Sequence, residues 1–131
     1  MKTKIEYIVK SPMKFEFEVE YDEEVLSTLI TAIQWKLVKD PPTYRSLGWY
    51  IVEREPEVLE VRTYEYKYPS DGFTQEKEWL VMTIKYVPRW FPDKEKLVFN
   101  IVKQLLKEKI KLYTDWLRWV EKGEELLNEE E

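Results

Sequence analysis

Two hydrophobic periods alternate along this chain. Residues Lys4–Val9 (KIEYIV) are rich in β-branched and aromatic side chains and predict a short strand that Ser11-Pro12 breaks. Lys14–Tyr21 (KFEFEVEY) alternates strictly. Phe15, Phe17, Val19 and Tyr21 face one way and Lys14, Glu16, Glu18 and Glu20 the other, the pattern of a strand with one buried and one wet face. Residues 10–13 would join the two strands as a hairpin. Asp22 is placed to cap a helix, with Glu23 and Glu24 favourable near its positive end. Val25, Leu26, Leu29, Ile30, Ile33, Leu37 and Val38 then recur at helical spacing until Pro41-Pro42 stops the run.

After a loop at Asp40–Gly48, strands are expected over Trp49–Arg54, Val58–Tyr68 and Trp79–Val87. Glu55-Pro56-Glu57 reads as a turn or bend. The PSDG segment at 69–72 predicts a tight turn, because Asp-Gly tolerates the positive φ that hairpin turns demand. Trp79–Val87 is apolar on both faces at its centre, as a strand interior to a sheet would be. Pro88 and Pro92 bracket Arg89-Trp90-Phe91, and a long helix is expected to begin with Pro at its start. The order ββα–βββα, which hints at a repeated ββα unit, predicts an α+β two-layer sandwich: a mostly antiparallel sheet of about five strands packed by one medium and one long C-terminal helix. A short antiparallel sheet gripping a long C-terminal helix is similar to the helix-grip ligand-binding folds, although those use more strands than this chain has room for. The resemblance implies a pocket for a small apolar ligand.

The last segment carries the largest surplus. From Pro92 to about Lys122 no Pro or Gly interrupts the pattern. Thirty helical residues span roughly 45 Å, against about 35 Å for a compact domain of this length. Leu97, Val98, Phe99, Ile101, Val102, Leu105, Leu106, Ile110, Leu112, Tyr113, Trp116, Leu117, Trp119 and Val120 cover about 200° of the helix circumference, whereas a helix lying on one sheet needs about 100°. The excess predicts a second surface, most simply another copy of the chain, with Leu112, Trp116, Leu117, Trp119 and Val120 as the self-association residues.

Composition then narrows the function classes. The net charge of −5 resides in residues 121–131, which hold six glutamates and one lysine, so residues 1–120 balance basic against acidic groups. Bulk electrostatics therefore selects no partner, and residues 123–131 read as an acidic, solvated tail behind a single domain at 1–122. The chain has no cysteine and no histidine. This removes disulfides, thiolate chemistry, the commonest metal ligand and the usual proton carrier near neutral pH. No catalytic, cofactor or metal site is expected. No signal peptide or membrane span is legible, and the expected location is inside a cell or within a virion. Lys and Glu enrichment with abundant Tyr and Trp gives the chain a composition that resembles small proteins of hyperthermophilic archaea and their viruses.

Other features have bland readings beside sharper ones. Lys96, Lys103, Lys107, Lys111 and Arg118 fall within about 80° of helix arc, a stripe that could track a phosphate backbone or simply be a solvated face. Arg62, Tyr64, Tyr66 and Tyr68 share one strand face, as stacking platforms and ordinary sheet pairs both do. Tyr44, Trp49, Tyr50, Trp90 and Phe91 flank Pro-bounded connections and read as interface anchors or end plugs. Glu16, Glu18 and Glu20 stand about 7 Å apart along one strand, too far for shared coordination, and fit a charged face that keeps a sheet soluble. Lys109 lies inside the apolar arc, where its long side chain can snorkel to water. The leading expectation is a non-catalytic, homo-oligomeric structural or protein-interaction protein, and a virion or assembly component if the source is viral. The alternatives are a helix-grip-like binder of a small apolar ligand, and a single-stranded nucleic-acid binder contacting its ligand through Lys103, Lys107, Lys111, Arg118, Tyr64 and Tyr66.

Overall fold

The computed structural model describes residues 1–10, 13–38, 45–67 and 74–130. The breaks expected at Ser11-Pro12, Pro41-Pro42 and PSDG 69–72 lie outside the described residues, as do Tyr44 and Tyr68. The elements are β1 (Lys2–Lys10), β2 (Met13–Tyr21), α1 (Glu23–Val38), β3 (Arg45–Glu55), β4 (Val58–Lys67), β5 (Thr74–Lys85) and α2 (Lys94–Glu130). The protein is α+β, with the order ββαβββα and one five-stranded antiparallel sheet ordered β1-β2-β5-β4-β3. β5 is the central strand, as its two-sided apolar centre predicts. Contacts within the chain separate two compact units, Met1–Glu95 and Lys96–Glu131.

In the first unit the register sorts side chains cleanly between the two sheet faces. Ile5 pairs with Phe17, Val19 with Ile84, Leu59 with Ile84 and Val61 with Met82, and all of these are buried. Leu26, Leu29 and Ala32 of α1 are buried too, and α1 contacts β3, β4 and β5. The opposite face is a lattice of charge. Lys2 stands across from Glu20, and Lys4 from Glu18. Lys14 Nζ lies 2.8 Å from Glu6 and Lys4 Nζ 3.7 Å from Glu16. Hydrogen bonding to Glu6, reinforced by its charge, pushes the Lys14 ammonium above the ordinary lysine range. Glu18 and Glu20 of the glutamate row thus stand opposite lysines of β1, and Glu16 stands opposite Glu6 with Lys4 within reach.

A β-bulge explains why β5 is apolar on both sides. Met82 pairs with Val61 and Leu80 with Arg62, which leaves Val81 without a partner in β4. The extra residue shifts the phase, so that Val81 and Met82 are both buried while Leu80 is exposed. The Val81 carbonyl accepts a hydrogen bond from the Asp22 backbone N–H at 3.1 Å, tying the bulge to the start of α1.

Element ends depart from the sequence pattern for local reasons. β5 stops at Lys85 because Tyr86 takes φ 70°, which leaves the extended region. α2 begins at Lys94, two residues after Pro92, because Asp93 at φ 48° lies outside the right-handed helical well. β3 begins at Arg45, inside the segment that Gly48 marks as loop. Gly48 is instead a close-approach position: it pairs with Tyr64, and a Cβ there would run into the Tyr64 ring. The β3–β4 connection is the expected turn, with Glu57 at φ 65° in the place where type II turns favour glycine. α2 also runs on through Gly123 to Glu130, so residues 123–130, expected as a tail, are helical.

The cap is as the sequence implies. Asp22 Oδ1 accepts from the backbone N–H of Glu24 at 2.9 Å and of Val25 at 3.3 Å. Replacing Asp22 by alanine removes these acceptors and should cost about 1 kcal/mol, with Asp22→Asn close to neutral. Thermal unfolding followed by circular dichroism checks this; equal melting temperatures for wild type and Asp22→Ala would contradict it.

Candidate self-association surface

Helix α2 has 37 residues and no break, which corresponds to about 55 Å of helix. Apart from Phe99, which is 39% exposed, its apolar residues divide by exposure at Leu105. Leu97, Val98, Ile101, Val102 and Leu105 are buried at 6% exposure or less. Beyond Leu105 burial stops. Leu106, Ile110, Leu112, Tyr113, Trp116, Leu117, Trp119, Val120, Leu126 and Leu127 are 36–68% exposed. The five expected self-association residues all belong to this group, Leu112 at 43%, Trp116 at 48%, Leu117 at 59%, Trp119 at 66% and Val120 at 68%. Leu126 and Leu127 extend the surface into the segment that composition reads as a solvated tail.

The spacing of these residues has two components. Leu106, Ile110, Tyr113, Leu117, Val120 and Leu127 follow alternating steps of four and three, with Glu124 in the one polar position. That is the a/d seam of a coiled coil. Leu112, Trp116, Trp119 and Leu126 form a second stripe beside it. The Tyr113 and Trp116 rings touch at a centroid distance of 5.5 Å and bridge the two stripes. In proteins most helical stability comes from packing an amphipathic face. Contiguous exposed apolar areas beyond a few hundred Å² are rare on monomers. With about half of each side chain accessible, the ten residues offer on the order of 900 Å² per copy, close to what one side of a standard interface buries.

The remaining candidates are elsewhere. Lys96, Lys103, Lys107, Lys111 and Arg118 are exposed on α2, and Arg118 donates to Asp115 Oδ1 at 3.1 Å. Lys109 is half-buried. Tyr64 is half-buried on the charged sheet face, its ring 6.0 Å from that of Tyr50, whose hydroxyl donates to Glu78. The side chain of Tyr66 lies outside the described set. Phe91 is the end plug of its group: it is buried, with its ring edge-on to Tyr7, Phe15 and Phe17 at 5.2–5.6 Å. Trp90 is 64% exposed, although it still meets Phe15 at 5.7 Å. Trp49 and Tyr50 are half-buried. A surface depression of ≈ 940 Å³ is open to solvent and is lined by acidic as well as apolar side chains, among them Glu20, Glu23, Tyr21 and Leu80. It differs from the enclosed apolar cavity of a helix-grip binder. Among the described residues no acidic group of three converges as a metal site would require, and no helix is long and apolar enough to cross a membrane.

One cluster is absent from the sequence reading. Glu60 Oε1 accepts from both Arg54 Nε and Arg62 Nε, each at 3.1 Å. Thr63, buried on the other face of β4, donates to the Gly48 carbonyl at 2.9 Å. Periodicity cannot reveal such a cluster, because the strand pairing and not the spacing brings Arg54 of β3 to Glu60 of β4. The cluster ties β3 to β4 and takes up Arg62, which lowers that residue's availability to an external phosphate. Compared with protein-family models, curated proteins and solved structures, the chain matches none.

Partial burial raises the Glu60 carboxyl, but the hydrogen bonds and charges of Arg62 and Arg54 outweigh it and hold the group below the ordinary carboxylate range. A depressed folded-state pKa contributes stability above the unfolded-state value of about 4.3 and loses it as pH falls through the folded-state value. Glu60→Gln should therefore lower the melting temperature near neutral pH, with the deficit closing in acid. A deficit that stays constant down to pH values below the carboxylate range would refute the assignment.

Proposed function

We propose that the protein is a non-catalytic structural or protein-interaction component that assembles with itself through the distal part of α2. One observation carries this reading: the apolar pattern of α2 persists to Leu127 although burial ends at Leu105. A surface of two tryptophans, a tyrosine, five leucines, an isoleucine and a valine has the aromatic anchors that dominate the energetics of an interface centre. Burying one such side chain contributes about 1.5–3 kcal/mol, and a two-fold contact uses each of them twice. If the chain comes from a virus, the reading suits a virion or assembly component. The absence of histidine and cysteine leaves acid–base chemistry to carboxylates, lysines and tyrosines, and Glu6, Glu16 and Glu60 of the sheet are taken up by lysine and arginine partners.

The test replaces the aromatic centre. Trp116→Glu combined with Trp119→Glu should leave the sheet and its melting behaviour intact and convert a wild-type assembly into the 16.1 kDa monomer. Light scattering coupled to size exclusion reads the mass. A folded double mutant whose mass equals that of wild type would defeat the proposal.

A further inference from the structure

The charges of α2 are arranged against the helix that carries them. From Lys94 to Lys111 the helix holds six lysines and two glutamates, and from Leu112 to Glu130 six acidic residues against two basic ones. Lysines near the N-terminus and glutamates near the C-terminus oppose the helix macrodipole, and the last turn holds no basic residue. Lys103, Lys107 and Lys111 also succeed one another at spacing four, as do Glu121, Glu125 and Glu129. Like charges at that spacing destabilise a solitary helix. Two exposed blocks of opposite sign at opposite ends of an exposed apolar seam are, however, complementary to themselves when the helix is reversed.

We propose that two copies of this chain pair through α2 in antiparallel orientation, about a two-fold axis near Thr114–Trp116. The inference rests on the self-association reading and adds its geometry. In an antiparallel coiled coil each a position packs against a d position of the other helix. The seam meets this condition when Tyr113 lies level with Leu117 of the second copy and Ile110 level with Val120. This register sets Lys107 beside Glu121 of the second copy, on both sides of the axis by symmetry. It also brings Trp116 opposite Trp116 of the second copy at the centre. The basic half of each helix then covers the acidic half of the other. A parallel pair would instead stack lysines on lysines and glutamates on glutamates, which opposes association.

The chain has no cysteine, so a single introduced thiol reports orientation. Spin labels on full-length Glu125→Cys should be about 30 Å apart along the axis in the antiparallel pair and within about 20 Å in a parallel one. Lys107→Glu should weaken self-association roughly tenfold, and adding Glu121→Lys should restore it, both read by light scattering across a dilution series. A dimer with closely spaced labels would overturn the antiparallel geometry and leave the self-association reading standing. A wild-type monomer at the highest soluble concentration, with α2 left for an unrelated partner, would overturn both. Failure of Glu121→Lys to rescue Lys107→Glu in a folded dimer would overturn the register.

Discussion

The hydrophobic effect sets the main constraint on this protein, and α2 is where it goes unsatisfied. Five apolar side chains at the start of the helix are buried, and ten further along are not. Each exposed Trp, Leu or Val that could be buried forgoes on the order of 2 kcal/mol. A folded domain has a net stability of only about 5–15 kcal/mol, so a surface of this size dominates the behaviour of the molecule in water. Among the described residues of the sheet, Ile5, Phe17, Val19, Leu59, Val61 and Ile84 are buried on one face, and Glu6, Glu16 and Glu60 are paired with cations on the other.

The sheet shows how a charged surface becomes structural. Lys2, Lys4 and Lys14 oppose the glutamates of the neighbouring strand, and Glu60 gathers Arg54 and Arg62. Exposed pairs of this kind contribute little one at a time. Their effect lies in register, since sliding a strand by one residue would set its apolar face in water and break every pair. On α2 the lysines concentrate toward one end and the glutamates toward the other, with Arg118 and Asp115 as a local pair between them.

Most of the fold is legible in local chemistry. Phe15, Phe17 and Val19 announce a one-sided strand, Asp22 announces a helix cap, and both are as expected. β5 is apolar on both faces because a bulge turns Val81 and Met82 inward together, a cause invisible without the strand pairing. Gly48 reads as loop because glycine usually marks one, yet it belongs to β3, where the Tyr64 ring occupies the space of its missing side chain. Glu60 looks like any strand glutamate until β3 brings Arg54 to it. Gly123 and the glutamates after it read as the end of a helix, but α2 continues to Glu130.

Periodicity and capping are properties of neighbours in the chain, and these determined the elements, their order and the excess apolar face of the last helix. Strand order, the bulge, the Arg–Glu–Arg cluster and the point where burial ends at Leu105 depend on residues far apart in the chain. Only the tertiary structure decided them, because contact energies between distant segments are set by pairing and packing and leave no local period to read.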